Sequence, residues 1–296
     1  SVEIIDYGVS GESIAFNEVP HCKGMKFVGW TTDGKDLITE NELAASTYSV
    51  KTTYYAVYES DAESFKITLK ANDGKFNDGN TEKTIENVPF GMLTKDIEKP
   101  APNVLGLVFS HYENEDGYPV TVIEKAETLY AKYATPISSL EDLQKINLAP
   151  EKNYVLTNDI IVGGYIWDDR DLVAWTAIGA NAKSGFSGIF NGNGYKISIS
   201  AKVGTKQNFG FFSKISGTVY NLSVVGCFSI SGTTDATALG AFAGEVTASG
   251  RIIDCQSFVR FTAKVKVTQK LSVSGAVGVN NGLIDGFMTS ASGEID

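Results

Sequence analysis

A glycine followed two residues later by a large apolar side chain occurs four times in the C-terminal half of the chain: Gly188-Ile189-Phe190, Gly210-Phe211-Phe212, Gly240-Ala241-Phe242 and Gly275-Ala276-Val277. The separations of 22, 30 and 35 residues are coil lengths of a solenoid. A second glycine follows within most copies, in Gly217-Thr218-Val219-Tyr220-Asn221-Leu222, Gly250-Arg251-Ile252-Ile253-Asp254-Cys255 and Gly282-Leu283-Ile284-Asp285-Gly286-Phe287. Counted from it, position two is β-branched and position five apolar. Side chains alternate along a strand, so two inward positions three apart require a bend between them. Glycine is the expected supplier of a left-handed φ at such corners. One unit cannot bury its own apolar edge; stacking it on the next at about 4.8 Å buries both and pairs their backbones. Phe190, Phe212, Phe242 and Val277 are then expected in one inward column.

The composition agrees with an all-β chain of 296 residues, with 30 glycines and 20% charged residues. The charge divides sharply. Residues 1–135 hold 22 Asp and Glu against 12 Lys and Arg, whereas residues 136–296 hold 13 of each, which places a domain boundary at Thr135-Pro136. Nothing is basic enough to hold a nucleic acid backbone. No apolar run reaches the ~18 residues of a membrane span, and no leader is recognisable. The chain reads as a piece of a longer protein, with targeting segments and further coils expected outside it.

The first part is also a repeat. Pro20-x-x-x-Gly24-x-x-Phe27-x-x-Trp30 matches Pro102-x-x-x-Gly106-x-x-Phe109-x-x-Tyr112, and Tyr55-Ala56-Val57-Tyr58 matches Tyr130-Ala131-Lys132-Tyr133. Glycine turns are expected at Asp33-Gly34 and Asp116-Gly117, and an opening strand at Phe65–Leu69 turned by Asp73-Gly74. Phe27, Trp30, Phe109 and Tyr112 are expected in small cores, with sugar binding as the alternative role of Trp30. His21 and His111 are expected at the surface or in turns.

The Pro/Gly/Phe/Trp frame closing on Tyr-Ala-x-Tyr resembles the Listeria-Bacteroides repeat, similar to the internalin B-repeat, in two copies over residues 1–60 and 61–135. The resemblance implies β-grasp-like α+β modules. From residue 136 to 296, Tyr154–Ile160, Trp175-x-x-Ile178-Gly179, Phe186-x-Gly188-x-Phe190-x-Gly192-Asn193-Gly194 and the glycine pairs resemble the GLUG-containing β-helix regions of bacterial surface proteins. Similar elements accompany some immunoglobulin A-cleaving metallopeptidases. The implied fold is mainly β: two β-grasp-like modules followed by a right-handed parallel β-helix. Ahead of it, Ser138–Ile146 carries Ser at an N-cap, Glu141 three residues on, and Leu140, Leu143 and Ile146 on one face, a helix suited to covering the first coil.

Catalytic patterns are missing: no His-Glu-x-x-His, no Gly-x-Ser-x-Gly and no phosphate-binding loop, so no catalytic residue, cofactor or metal is assigned. Asp73, Asn77 and Asp78 fit turn chemistry better than calcium. Asp168 and Asp169, with Arg170 and Asp171, form the best catalytic candidate, yet neighbouring loop carboxylates rarely face one another across a cleft. Arg260, Lys264 and Lys266 alternate with Val259, Phe261, Ala263, Val265 and Val267, an apolar-in, basic-out strand whose outer stripe is either a solvated face or an anionic-glycan site. Cys255 takes the apolar fifth position and is expected as a buried thiol, the alternative being a pairing with Cys227 across coils; Cys22 is left over. Candidate ligand contacts are therefore Trp30, Asp168, Asp169, Arg260, Lys264 and Lys266. The expectation is a non-catalytic, monomeric adhesion surface and spacer of an extracellular or cell-wall-attached bacterial protein, its partner a host or matrix glycan or protein, with no nucleic acid and no membrane insertion. The alternatives are a polysaccharide-active β-helix enzyme and the stalk of a larger surface peptidase.

Overall fold

A computed structural model describes residues 14, 24–47, 52–60, 63–164, 172–203, 208–268 and 270–295. Among the described residues the protein is mainly β, 52% strand and 7% helix, with extensive parallel pairing. It divides into two compact units: residues 1–105 with 111–132, and residues 106–110 with 133–296.

In the first unit, Met25–Thr31 pairs antiparallel with Tyr55–Ser60, setting Phe27 opposite Tyr58 and Trp30 opposite Ala56. The register shifts at Gly29, where a Cβ would lie 2.6 Å from the Ile38 carbonyl oxygen; only glycine admits that approach. The short helix Glu40–Ala44 starts at Thr39 with a capping box closed by Glu42. It buries Leu43 in one cluster with Ile14 and Trp30. Gly34 and Gly117 take left-handed φ of 77° in the turns after the aromatic strands. Further on, Ser64–Lys70 pairs antiparallel with Glu82–Pro89, and its residues Thr68–Lys70 pair parallel with Thr128–Tyr130. Ile67, Leu69, Tyr112, Ile123 and Leu129 are fully buried there. Where the first stretch has its helix, this one has the 3-10 turn Thr94–Asp96.

The second unit is built from parallel ladders in which each pass of the chain pairs with the next. The first runs through Thr135–Ile137, Tyr154–Leu156, Ile189–Asn191, Thr218–Tyr220, Arg251–Ile253 and Leu283–Asp285, with Tyr154, Phe190, Val219, Ile252 and Ile284 in register. The second joins Ile160–Val162 and Val173–Trp175 to Lys196–Val203, then Ser223–Thr234, Gln256–Val267 and Met288–Ile295. The third joins Phe212–Ile215, Ala243–Val246 and Val277–Asn280. Their inner faces enclose one apolar core.

Register corrects two details of the repeat. Phe190, Phe212, Phe242 and Val277 do share the core, with Phe190–Phe212 and Phe212–Phe242 centroids 5.8 and 5.6 Å apart. They do not form one column: Phe190 aligns with Val219 in the first ladder, whereas Phe212 aligns with Ala243 and Val277 in the third. Gly188 therefore groups with Gly217, Gly250 and Gly282, at separations of 29, 33 and 32 residues. The second detail concerns the corners. The left-handed residues are Asn221, Asp254 and Gly286, with φ of 51°, 49° and 61°, lying between the β-branched and the apolar inward positions. The repeat glycines serve close approach instead. A Cβ on Gly217 would sit 2.0 Å from the Gly188 carbonyl oxygen, and one on Gly282 would sit 2.3 Å from that of Gly250. Those same carbonyls accept the next pass: Thr218 N–H donates to Gly188, Arg251 to Gly217 and Leu283 to Gly250.

The entry helix spans Leu140–Lys145 and is capped by Ser139, one residue later than its sequence suggests, with Asp142 rather than Glu141 returning bonds to Ser138 and Ser139. Leu143 and Ile146 are fully buried, and Leu140 packs beside them against the core.

Candidate functional site

The basic stripe lies on Gln256–Val267, in the second ladder. Val259 and Phe261 point into the core at 1% and 6% exposure, which sends Arg260, Thr262, Lys264 and Lys266 to the outer side. Register then separates the three cations. Arg260 is half-buried and faces Cys227, itself fully buried, which in turn aligns with buried Ser200. Lys264 and Lys266 are exposed and align with Ser231 and Thr233. Lys202, exposed two strands away, aligns with Ser229 and through it with Thr262. The exposed lysines toward the C-terminal end of these strands are thus Lys202, Lys264 and Lys266, interleaved with hydroxyls, while Lys196 is exposed on the same face at the opposite end. Among the described side chains, none of these three ammoniums has a carboxylate within ion-pair distance; the pairs formed by Lys145 and Lys214 lie elsewhere in this unit. The run of alternating charges reveals Lys264 and Lys266 directly, but Lys202 joins them only through the stacking of one pass on another.

Trp30 is only 5% exposed, with its ring 5.3 Å from Phe27 in an edge-on contact and its other surroundings Ile14 and Leu43. That burial corrects its candidacy as a sugar-binding ring: no face is left for a ligand. Asp168 and Asp169 lie outside the described residues, as do His21 and Cys22.

A second polar cluster is absent from the sequence reading. His111, expected at a surface or turn, is a strand residue of Val108–Glu113 and only 8% exposed. Its Nε2 lies 3.0 Å from Glu113 Oε1, and Lys132 Nζ lies 3.0 Å from Glu113 Oε2. The cause is strand parity: His111 and Glu113, two apart, share a face. Burial pushes the imidazole below its ordinary value, outweighing the pull of Glu113. Neutral at pH 7, the ring donates Nε2–H to the carboxylate. Burial pushes Glu113 up, but the bonds from His111 and Lys132 outweigh it and hold the carboxyl below its ordinary value. An open cleft of about 270 Å³ beside the cluster is lined by Asn72, Glu113, Tyr130 and Lys132 among others. The carboxylate is already satisfied on both oxygens, so the cluster is a self-contained ion pair with a neutral hydrogen-bond partner. The His-x-Glu spacing in an alternating strand is the signal that would have found it.

Among the described residues no three His, Cys, Asp or Glu side chains are grouped to hold a metal ion. Cys227 and Cys255 are both buried and form no disulfide with each other. Parity keeps them apart: Cys227 is on the outer side of its strand, where its thiol contacts Ser200 Oγ at 3.6 Å, while Cys255 is part of the core. Burial pushes the Cys255 thiol up to about 12, which makes it unreactive at neutral pH. No helix among the described residues is long and apolar enough to cross a membrane.

Compared with protein-family models, curated proteins and solved structures, the chain finds no match in any of the three.

Proposed function

We propose that the second unit is a right-handed parallel β-helix of the GLUG-containing kind, that the first carries two β-grasp-like modules of the Listeria-Bacteroides repeat type, and that the chain serves as a non-catalytic adhesion surface and spacer of a bacterial cell-surface or secreted protein. The observation that carries this reading is the register of the stacked passes: Tyr154, Phe190, Val219, Ile252 and Ile284 recur at one place in successive parallel strands, with close-approach glycines beside them. Stacking of that kind produces flat sheet faces, which suit ligands bound along a surface by many weak contacts. The polar clefts of the first unit are open and mixed in charge, a poor setting for the desolvated chemistry of an enzyme.

The test is to probe the chain against arrays of glycans and matrix proteins and, in parallel, to assay polysaccharide turnover. Binding without turnover is the expected result. Turnover abolished by Asp168→Ala with Asp169→Ala would replace the adhesin by a polysaccharide-active enzyme, and failure to bind any array feature would leave a stalk.

A further inference from the structure

We infer that the outer face of the second ladder, around Lys202, Lys264 and Lys266, binds an anionic polysaccharide. The inference rests on the adhesive reading above and gives it a place and a ligand class. Lys264 and Lys266 are two residues apart on one strand, so their stems rise from the same face about 7 Å apart. Lys202 lies on the strand one beyond the neighbour, roughly 10 Å across the sheet. Ser229, Ser231 and Thr262 fill the positions between them and offer hydroxyls that both donate and accept. The backbone of Glu294 on the next strand is in register with Thr262.

Flatness selects the class of ligand. A small anion on an open face gains little from any one exposed ammonium, because water and salt screen the contact. A polymer that spaces carboxylates or sulfates along its length meets all three ammoniums at once, and each contact after the first is intramolecular. Between its charges such a polymer presents hydroxyls, the groups that Ser229, Ser231 and Thr262 can bond. Nucleic acid fits less well: its charge repeats every ~1.7 Å as a duplex, which three cations cannot offset, and the chain as a whole carries a net charge of −10. The three cations stand in residues 136–296, whose own charges balance at 13 of each sign.

The experiment titrates the whole chain with polygalacturonate and dextran sulfate as carboxylate and sulfate arms, with neutral dextran and a single-stranded oligonucleotide as comparisons, at low and physiological salt. Lys202→Gln, Lys264→Gln and Lys266→Gln are combined in one variant, and its circular dichroism melt checks folding. Affinity for at least one polyanion is expected to fall about tenfold in the variant, with the salt slope shallower by roughly two; the arm that responds identifies the charged group. Equal affinity of a folded variant, a preference for the oligonucleotide, or no affinity of the parent chain for either polysaccharide would overturn the assignment. Should the folded variant still bind a neutral glycan or matrix protein on the arrays, this site fails while the adhesive reading stands; no binding to arrays or polyanions removes both.

Discussion

Gly217 shows how a single side-chain hydrogen can decide whether one pass of the chain stacks on another. A methyl group there would lie 2.0 Å from the Gly188 carbonyl oxygen, which is also the acceptor for Thr218 N–H. The clash is with backbone, so no rotamer relieves it, and the ladder must open locally. Gly217→Ala is expected to cost ~3 kcal/mol or more in urea unfolding of the second unit, against under ~1 kcal/mol for Thr218→Ala, a half-exposed neighbour. Equal effects would mean that the glycine column is not held at this spacing.

At the scale of the element, the corner of the first ladder is a left-handed residue followed by an apolar one packed on the core, filled by Asn221-Leu222, Asp254-Cys255 and Gly286-Phe287. Asn221 N–H donates to Ile253 O and Asp254 N–H to Asp285 O, so the first two corners are each bonded to the next pass. Asn, Asp and Gly are the residues that adopt this conformation at least cost. Asn221→Gly is therefore expected to leave the melting temperature nearly unchanged, whereas Asn221→Ala should lose about 1–2 kcal/mol; a melt in which alanine and glycine behave alike would refute the strain argument. The helix Leu140–Lys145 follows the same economy, its cap formed by short polar side chains and its buried face by Leu143 and Ile146.

For the whole molecule, acid should act on the two units unequally. His111 sits below its ordinary 6.5 because of burial, so the unfolded chain takes up that proton first and stability falls as pH drops below 6.5. Glu113 sits below its ordinary 4.5, so its contribution, present above that value, is lost as pH falls through the depressed folded value. Glu127, which burial pushes up, opposes them. In the second unit Asp142 also sits below its ordinary value, held there mainly by the Ser138 N–H. Hydrogen exchange followed by mass spectrometry from pH 7 to 4 should show protection lost first in peptides of the first unit, and His111→Gln should flatten the response above pH 5. Simultaneous loss in both units would contradict the assignment.

The mainly β character, the inward β-branched and fifth positions, the turns at Gly34 and Gly117 and the buried face of the entry helix were all legible in residue order, because alternation and turn chemistry are local. Register was not. Counting glycines placed Phe190 with Phe212, and only the parallel pairing of distant strands set Phe190 against Val219 and moved the left-handed φ from the repeat glycines to Asn221 and Asp254. The candidate site divides the same way: Lys264 and Lys266 announce themselves by alternation, while the burial of Arg260 beside Cys227, the arrival of Lys202 and the closure of His111, Glu113 and Lys132 into one cluster depend on which strands become neighbours. Residue type by itself determined which faces turn inward, since that requires nothing beyond the two-residue period of a strand. Tertiary structure alone decided which of those faces meet, because a parallel pair is made by backbone bonds between segments some thirty residues apart, and no local pattern records their alignment.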